Sequence, residues 1–189
     1  MEDPQVGAPT TARAGFGPAG RALLALTKYV AIAGGLVFVA LVAMELVSIV
    51  GRKLLSAPVP GDVEVLQMCA AFASAAFFAY CHMMRGDVKV DFFTHDLAPR
   101  HVALLDALGS LLVAAFGALL AWRTGAGALS LKEDGVTTAV LGWPVWVGQA
   151  LMVPGFLLLA LAGLYMTWHH LREATREPAG RTATGRHRS

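Results

Sequence analysis

The chain carries few groups with which to do chemistry, and the first to weigh is Glu45, the only acidic residue deep inside an apolar run. An ionisable side chain in such a position is costly and marks a functional site by default. Arg52 follows seven residues later, on nearly the same face of a helix and about 10 Å farther along it. Two readings of Glu45 stay open. Either it lies close enough to the end of its run to reach water or a basic partner, or it is a proton or cation site. The histidines do not supply a haem or metal set. His82, His169 and His170 stand at the ends of apolar runs, His95 and His101 in or beside a polar connection, and His187 in the C-terminal tail. Adjacent His169 and His170 point about 100° apart on a helix, a geometry that suits interfacial anchoring better than ligation. Cys69 and Cys81 are separated by about 18 Å along one helix and do not bridge each other within it, so both read as small packing residues. No nucleophile–base–acid set, phosphate-binding glycine loop or metal-ligand spacing is present, and neither a cofactor nor an enzymatic activity is expected.

The elements that must position these residues follow from composition. Of 189 residues, 56% are hydrophobic and 15% charged, with a mean hydropathy of +0.59. Soluble domains hold roughly 45–50% apolar and about 25% charged residues. At roughly 20 residues per span, this chain supplies four transmembrane helices and their loops and leaves no room for a soluble catalytic domain. A net charge of +2 is too small to point to nucleic acid.

The predicted fold is therefore an all-α membrane protein of four transmembrane helices. Residues 1–24 read as a flexible tail, 25–170 as the membrane domain, and 171–189 as a disordered basic tail. The spans are expected at about 29–50, 63–84, 101–122 and 145–168. The first is too long for a signal peptide. Pro58, Pro60 and Gly61 separate the first two spans, and Asp62 is placed to cap the second, with Asp62 and Glu64 at the positive end of its dipole. Pro99 and Pro144 open the third and fourth spans. Pro154 falls inside the fourth and is expected to kink it.

Four spans put both termini on one side. Arg13, Arg21, Lys28, Arg85, Lys89, Arg100, Arg172, Arg176, Arg181, Arg186 and Arg188 lie on that side, eleven in all, against four on the other: Arg52, Lys53, Arg123 and Lys132. Because Lys and Arg resist translocation, both termini are expected in the cytoplasm.

Packing signals are of three kinds. Ala71, Ala75 and Ala79 form a small-residue stripe that lets another helix approach closely, whether from this chain or from a partner. Trp122, Trp143, Trp146 and Trp168 fall near the expected span boundaries, as an aromatic belt requires. Between the second and third spans, Arg85-Gly86-Asp87-Val88-Lys89-Val90-Asp91 alternates charged and apolar residues before Phe92, Phe93 and Leu97. Such a segment suits the membrane interface, or pairing with a partner chain.

Four motifs in order resemble the small membrane subunit, of DctQ type, of tripartite ATP-independent periplasmic (TRAP) transporters. Ser48-Ile49-Val50-Gly51-Arg52 resembles an element with Asn, apolar residues and Arg. Pro58-Val59-Pro60-Gly61-Asp62-Val63-Glu64 resembles Pro-x-Pro-Gly-x-x-Glu. Arg85 to Asp91 resembles Arg-Gly-His-Val-Arg-Val-Asp. Thr138, Leu141, Pro144 and Trp146, with Pro154-Gly155, resemble Thr-x-x-Leu-x-x-Pro-x-Trp and a Pro-x-Gly element. Ser48 stands where the family has Asn, Asp87 where it has His, and Lys53 where it has an aromatic residue.

The resemblance implies a scaffold in the bacterial inner membrane. Such a subunit braces a large, ion-coupled multispan permease subunit and helps an extracytoplasmic solute-binding protein dock, for uptake of an organic acid. On that reading Arg52, Asp62 and Glu64 contact the large subunit or binding protein on the outer side, and Arg85, Lys89 and Asp91 brace the inner side. The residues themselves agree, since they form no midplane constellation, broken helix pair or inverted repeat. A different reading is a self-sufficient, proton-coupled exporter acting as a homodimer, with Glu45 as its coupling residue. A third, an anchor for a redox or signalling complex, lacks good haem ligands.

Overall fold

The computed structural model describes residues 17–56, 59–84 and 99–176. Four helices account for nearly all of them: α1 (Pro18–Leu55), α2 (Asp62–Met83), α3 (Pro99–Glu133) and α4 (Val145–Arg176). No strand occurs among the described residues, and a single antiparallel bridge joins Thr137 to Pro144 in the α3–α4 loop. All four helices are long and apolar enough to cross a membrane.

Three helices outrun the expected spans. α1 starts at Pro18 rather than Tyr29, with Pro18 at its first turn, where a missing N–H costs nothing. α3 runs to Glu133 rather than stopping at Trp122, and α4 to Arg176 rather than Trp168. The reason lies in seams that continue past the apolar runs. On α1 the buried residues are Gly20, Leu24, Thr27, Ala31, Gly34, Leu41 and Ser48. On α3 they are Ala107, Ser110, Ala114, Gly117, Ala121 and Ala128. Both series keep alternating steps of three and four, the seven-residue repeat of left-handed helix packing. Arg123, Gly125 and Gly127, which follow the expected end of the third span at about 122, are therefore helical. Arg123 moves from the connection into α3.

The helices pack in series, α1 on α2, α2 on α4 and α4 on α3, with α3–α4 the most extensive pair and only a slight α1–α4 contact. Small residues permit this closeness. A Cβ built on Gly155 would stand 2.9 Å from the Ala75 carbonyl, and one on Gly163 would stand 2.7 Å from the Ala114 backbone nitrogen. Two clusters mark the crossings. Ala75, Ala121 and Phe156 join α2, α3 and α4, while Leu24, Met83, Ala162 and Met166 join α1, α2 and α4.

The resulting row has α2 and α4 inside and α1 and α3 at its edges. Of the four apolar spans, that of α4 is the most buried and that of α1 the least. Large apolar side chains such as Leu36, Val39, Leu112 and Phe116 are more than half exposed. These free faces match a molecule whose surroundings are hydrocarbon rather than water.

Candidate functional site

The two short connections, α1–α2 and α3–α4, come together at one end of the row, and Arg52, Asp62 and Glu64 of the residues singled out in the sequence lie there. The chain leaves α1 at Ser56 in a left-handed conformation (φ 53°) and re-enters at Gly61 (φ 73°), which occupies the N-cap of α2. Asp62 is thus the first helical residue and not the cap expected of it. A positive φ favours glycine, and the space demands it too, since a Cβ there would meet the Leu141 side chain at 2.5 Å.

Asp62 is instead a junction between helices. Its Oδ2 accepts a hydrogen bond from the Ser48 hydroxyl and lies 3.2 Å from Nη2 of Arg52, while its Oδ1 accepts the Val63 N–H at 2.8 Å. Ser48 is fully buried, and its Oγ also receives the Val59 N–H at 3.4 Å. The Asp62 side chain is 11% exposed, but that of Arg52 is 62% exposed, so much of its guanidinium faces outward.

Glu64, half a turn on, fastens the other loop. Oε1 accepts the Val140 N–H at 2.8 Å and Oε2 the Leu141 N–H at 3.0 Å. The loop is folded to present those amides. Thr138 N–H bonds the Trp143 carbonyl at 2.8 Å, and Trp143 N–H bonds Oγ1 of Thr138 at 3.0 Å. Gly142 N–H reaches the Thr138 carbonyl at 3.2 Å. Two carboxylates in the first turn of α2 therefore tie it to α1 on one side and to the α3–α4 loop on the other. Chemically this is a brace, since each carboxylate spends its acceptors on groups of the same chain.

Of the other candidates, Ala75 and Ala79 are buried and Ala71 is half-buried, with Ala75 against Gly155 of α4. Ala73 and Ala76, which the stripe omitted, take up α1 at Gly34. Arg85, Lys89 and Asp91 lie outside the described residues, as does the segment expected at the interface. Glu45 sits on the α1 seam, and its Oε1 is buried without a hydrogen-bond partner among the described residues. His170 is buried and meets His169 edge-on rather than standing free at an interface. Trp143 and Trp146 flank the start of α4, but Trp122 follows Ala121, which packs with Ala75 well inside α2, and so does not mark a boundary. Cys69 and Cys81 form no disulfide with each other, Cys69 being half-buried and Cys81 on an exposed face. Among the described residues no group of His, Cys, Asp or Glu is arranged to hold a metal ion. The roles of the Ser48 hydroxyl and of the Val140 and Leu141 amides escaped the sequence reading. The only local signal was the order of the motifs containing Ser48 and Leu141.

A multi-pass membrane protein is the class that this fold and this brace define. Its family is also fixed: residues 39–173 match the DctQ component of tripartite ATP-independent periplasmic transporters, and the chain belongs to that family. It is a small transporter subunit of TRAP type, in a family of transport components rather than enzymes. No curated protein and no solved structure matches the chain.

Proposed function

We propose that this chain is the stationary scaffold of a TRAP transporter in the bacterial inner membrane. It braces a large ion-coupled permease subunit and helps an extracytoplasmic binding protein dock, in the uptake of an organic acid. The observation that carries this reading, beside family membership, is the open row of helices. A closed bundle hides its seams. A row keeps a wide apolar surface on both faces for a membrane partner, and the carboxylate brace holds its short-loop end in one shape.

On this reading both termini are cytoplasmic, as the excess of Lys and Arg at that end favours. The short-loop end then faces the binding protein. Arg52 and Lys53 are the exposed cations that close α1 there, with Asp62 and Glu64 acting through the surface they shape, while Arg85, Lys89 and Asp91 meet the large subunit on the inner side. The family match gives no support to a self-sufficient exporter.

Removal of this chain from cells that keep the other two components tests the proposal. Solute uptake is expected to fall to background and to return on expression in trans. Undiminished uptake in its absence contradicts it.

A further inference from the structure

Arg123 is an exposed cation in the wrong place for a loop residue. It directly follows Ala121 and Trp122 on α3, and Ala121 packs with Ala75 of α2 and Phe156 of α4. Ala75 lies about 20 Å along the helix from Asp62 and about 12 Å from Met83, by the rise of 1.5 Å per residue. α2 is about 33 Å long, close to the ~30 Å thickness of the hydrocarbon layer. α4 gives the same level, since Gly155, which meets Ala75, has about 15 Å and about 20 Å of the run 145–168 on its two sides. On α1, Gly34, which meets Ala73 and Ala76, lies about 8 Å inside the nearer end of the run 29–50. Arg123 therefore stands near the middle of the membrane and about 12 Å or more from either end of α2, a long way to snorkel.

An unpaired guanidinium at that depth is costly, and such residues pair with acidic groups or line a protein interior. No hydrogen bond or ion pair holds Arg123 among the described residues, and no described carboxylate lies at its level. Glu45, Asp62, Glu64, Glu133 and Asp134 belong to the short-loop half of the row, and Asp106 to the opposite half. Among its described residues a second copy of the chain therefore offers it no partner, and a two-fold contact through α3 would set Arg123 against Arg123.

The face that carries it is a second seam. α3 is an edge of the row, and opposite its small-residue seam stand Leu108, Leu112, Phe116 and Leu119, all about half exposed or more, in the same register as Arg123. Trp122 beside them is 75% exposed. Tryptophan and arginine are the residues most often found to dominate binding energy at interfaces.

We propose that this outer face of α3, centred on Trp122 and Arg123, is the surface that receives the large permease subunit, and that the arriving helix presents a carboxylate to Arg123 at mid-membrane depth. The proposal rests on the scaffold reading and deepens it by naming the edge and the charge.

The test is co-purification of the large subunit from native membranes with the full chain as wild type, Arg123→Leu and Arg123→Lys. Arg123→Leu is expected to lower recovery of the large subunit by roughly tenfold or more, with Arg123→Lys between it and wild type. The Arg123→Leu chain on its own should melt no lower than wild type, because the change removes a charge from lipid. As a second measurement, a benzophenone amino acid at Leu119 in an otherwise wild-type chain should crosslink to the large subunit. Equal recovery with Arg123→Leu, or crosslinks to lipid only, overturns this inference while leaving the scaffold reading in place. Failure of the wild-type chain to recover any large subunit overturns the scaffold reading itself.

Discussion

The carboxylate of Glu64 and the backbone amide of Leu141 meet at 3.0 Å across 77 positions of sequence. With the Val140 amide at the other oxygen, this bond fixes the α3–α4 loop to the first turn of α2. Seated beside it, the Ser48–Asp62–Arg52 contacts fix the other short connection, so that both loops of this end move with α2 or not at all.

Loss of the Glu64 carboxylate should free the α3–α4 loop without unfolding the row. Glu64→Gln retains one acceptor oxygen and Glu64→Ala none. Amide exchange at Val140 and Leu141 is expected to accelerate by roughly tenfold or more in Glu64→Ala and less in Glu64→Gln, with exchange in the middle of α3 unchanged. Unaltered exchange at those two amides would show that the loop holds itself.

Two glycines should respond oppositely to the same substitution. Gly163 sits where a Cβ meets the backbone of Ala114, so Gly163→Ala forces α3 and α4 apart at a cost of about 1–3 kcal/mol. Gly109 on the same helix pair has nothing within reach of a Cβ, and Gly109→Ala should be neutral or gain up to about 1 kcal/mol through helix propensity. Thermal or denaturant unfolding in detergent reads both. Equal effects would contradict the seam.

Glu45 separates a scaffold from a carrier. Its buried Oε1 lacks a hydrogen-bond partner among the described residues, so Glu45→Gln removes a charge that the α1 seam does not use. Uptake by the assembled transporter should be unchanged within about twofold, since no transport step is assigned to this residue. Abolished transport would revive the reading of Glu45 as a coupling carboxylate.

The number and order of the helices were legible because long apolar runs separated by proline, glycine and charge leave few alternatives. Their extent was not. Arg123, Gly125 and Gly127 signal a helix end in composition, yet Gly127 lies against Gln149 and Gly125 near Val153, so contact with α4 keeps α3 helical. The stripe Ala71, Ala75 and Ala79 was visible by its spacing, but its partner was not. Only the packed row shows that Ala75 meets α4 while Ala73 and Ala76 meet α1. Asp62 and Glu64 stood out as acidic residues at a helix start. That they hold Ser48 and a loop 77 positions away is a tertiary fact with no local pattern to announce it.

The most direct test of the scaffold role is a mild-detergent pull-down of this chain from its native membrane, followed by mass spectrometry and determination of mass in solution. Recovery of one large multispan protein in equal amount with this chain is the predicted result. Recovery of the chain alone, as a dimer of itself, would contradict it.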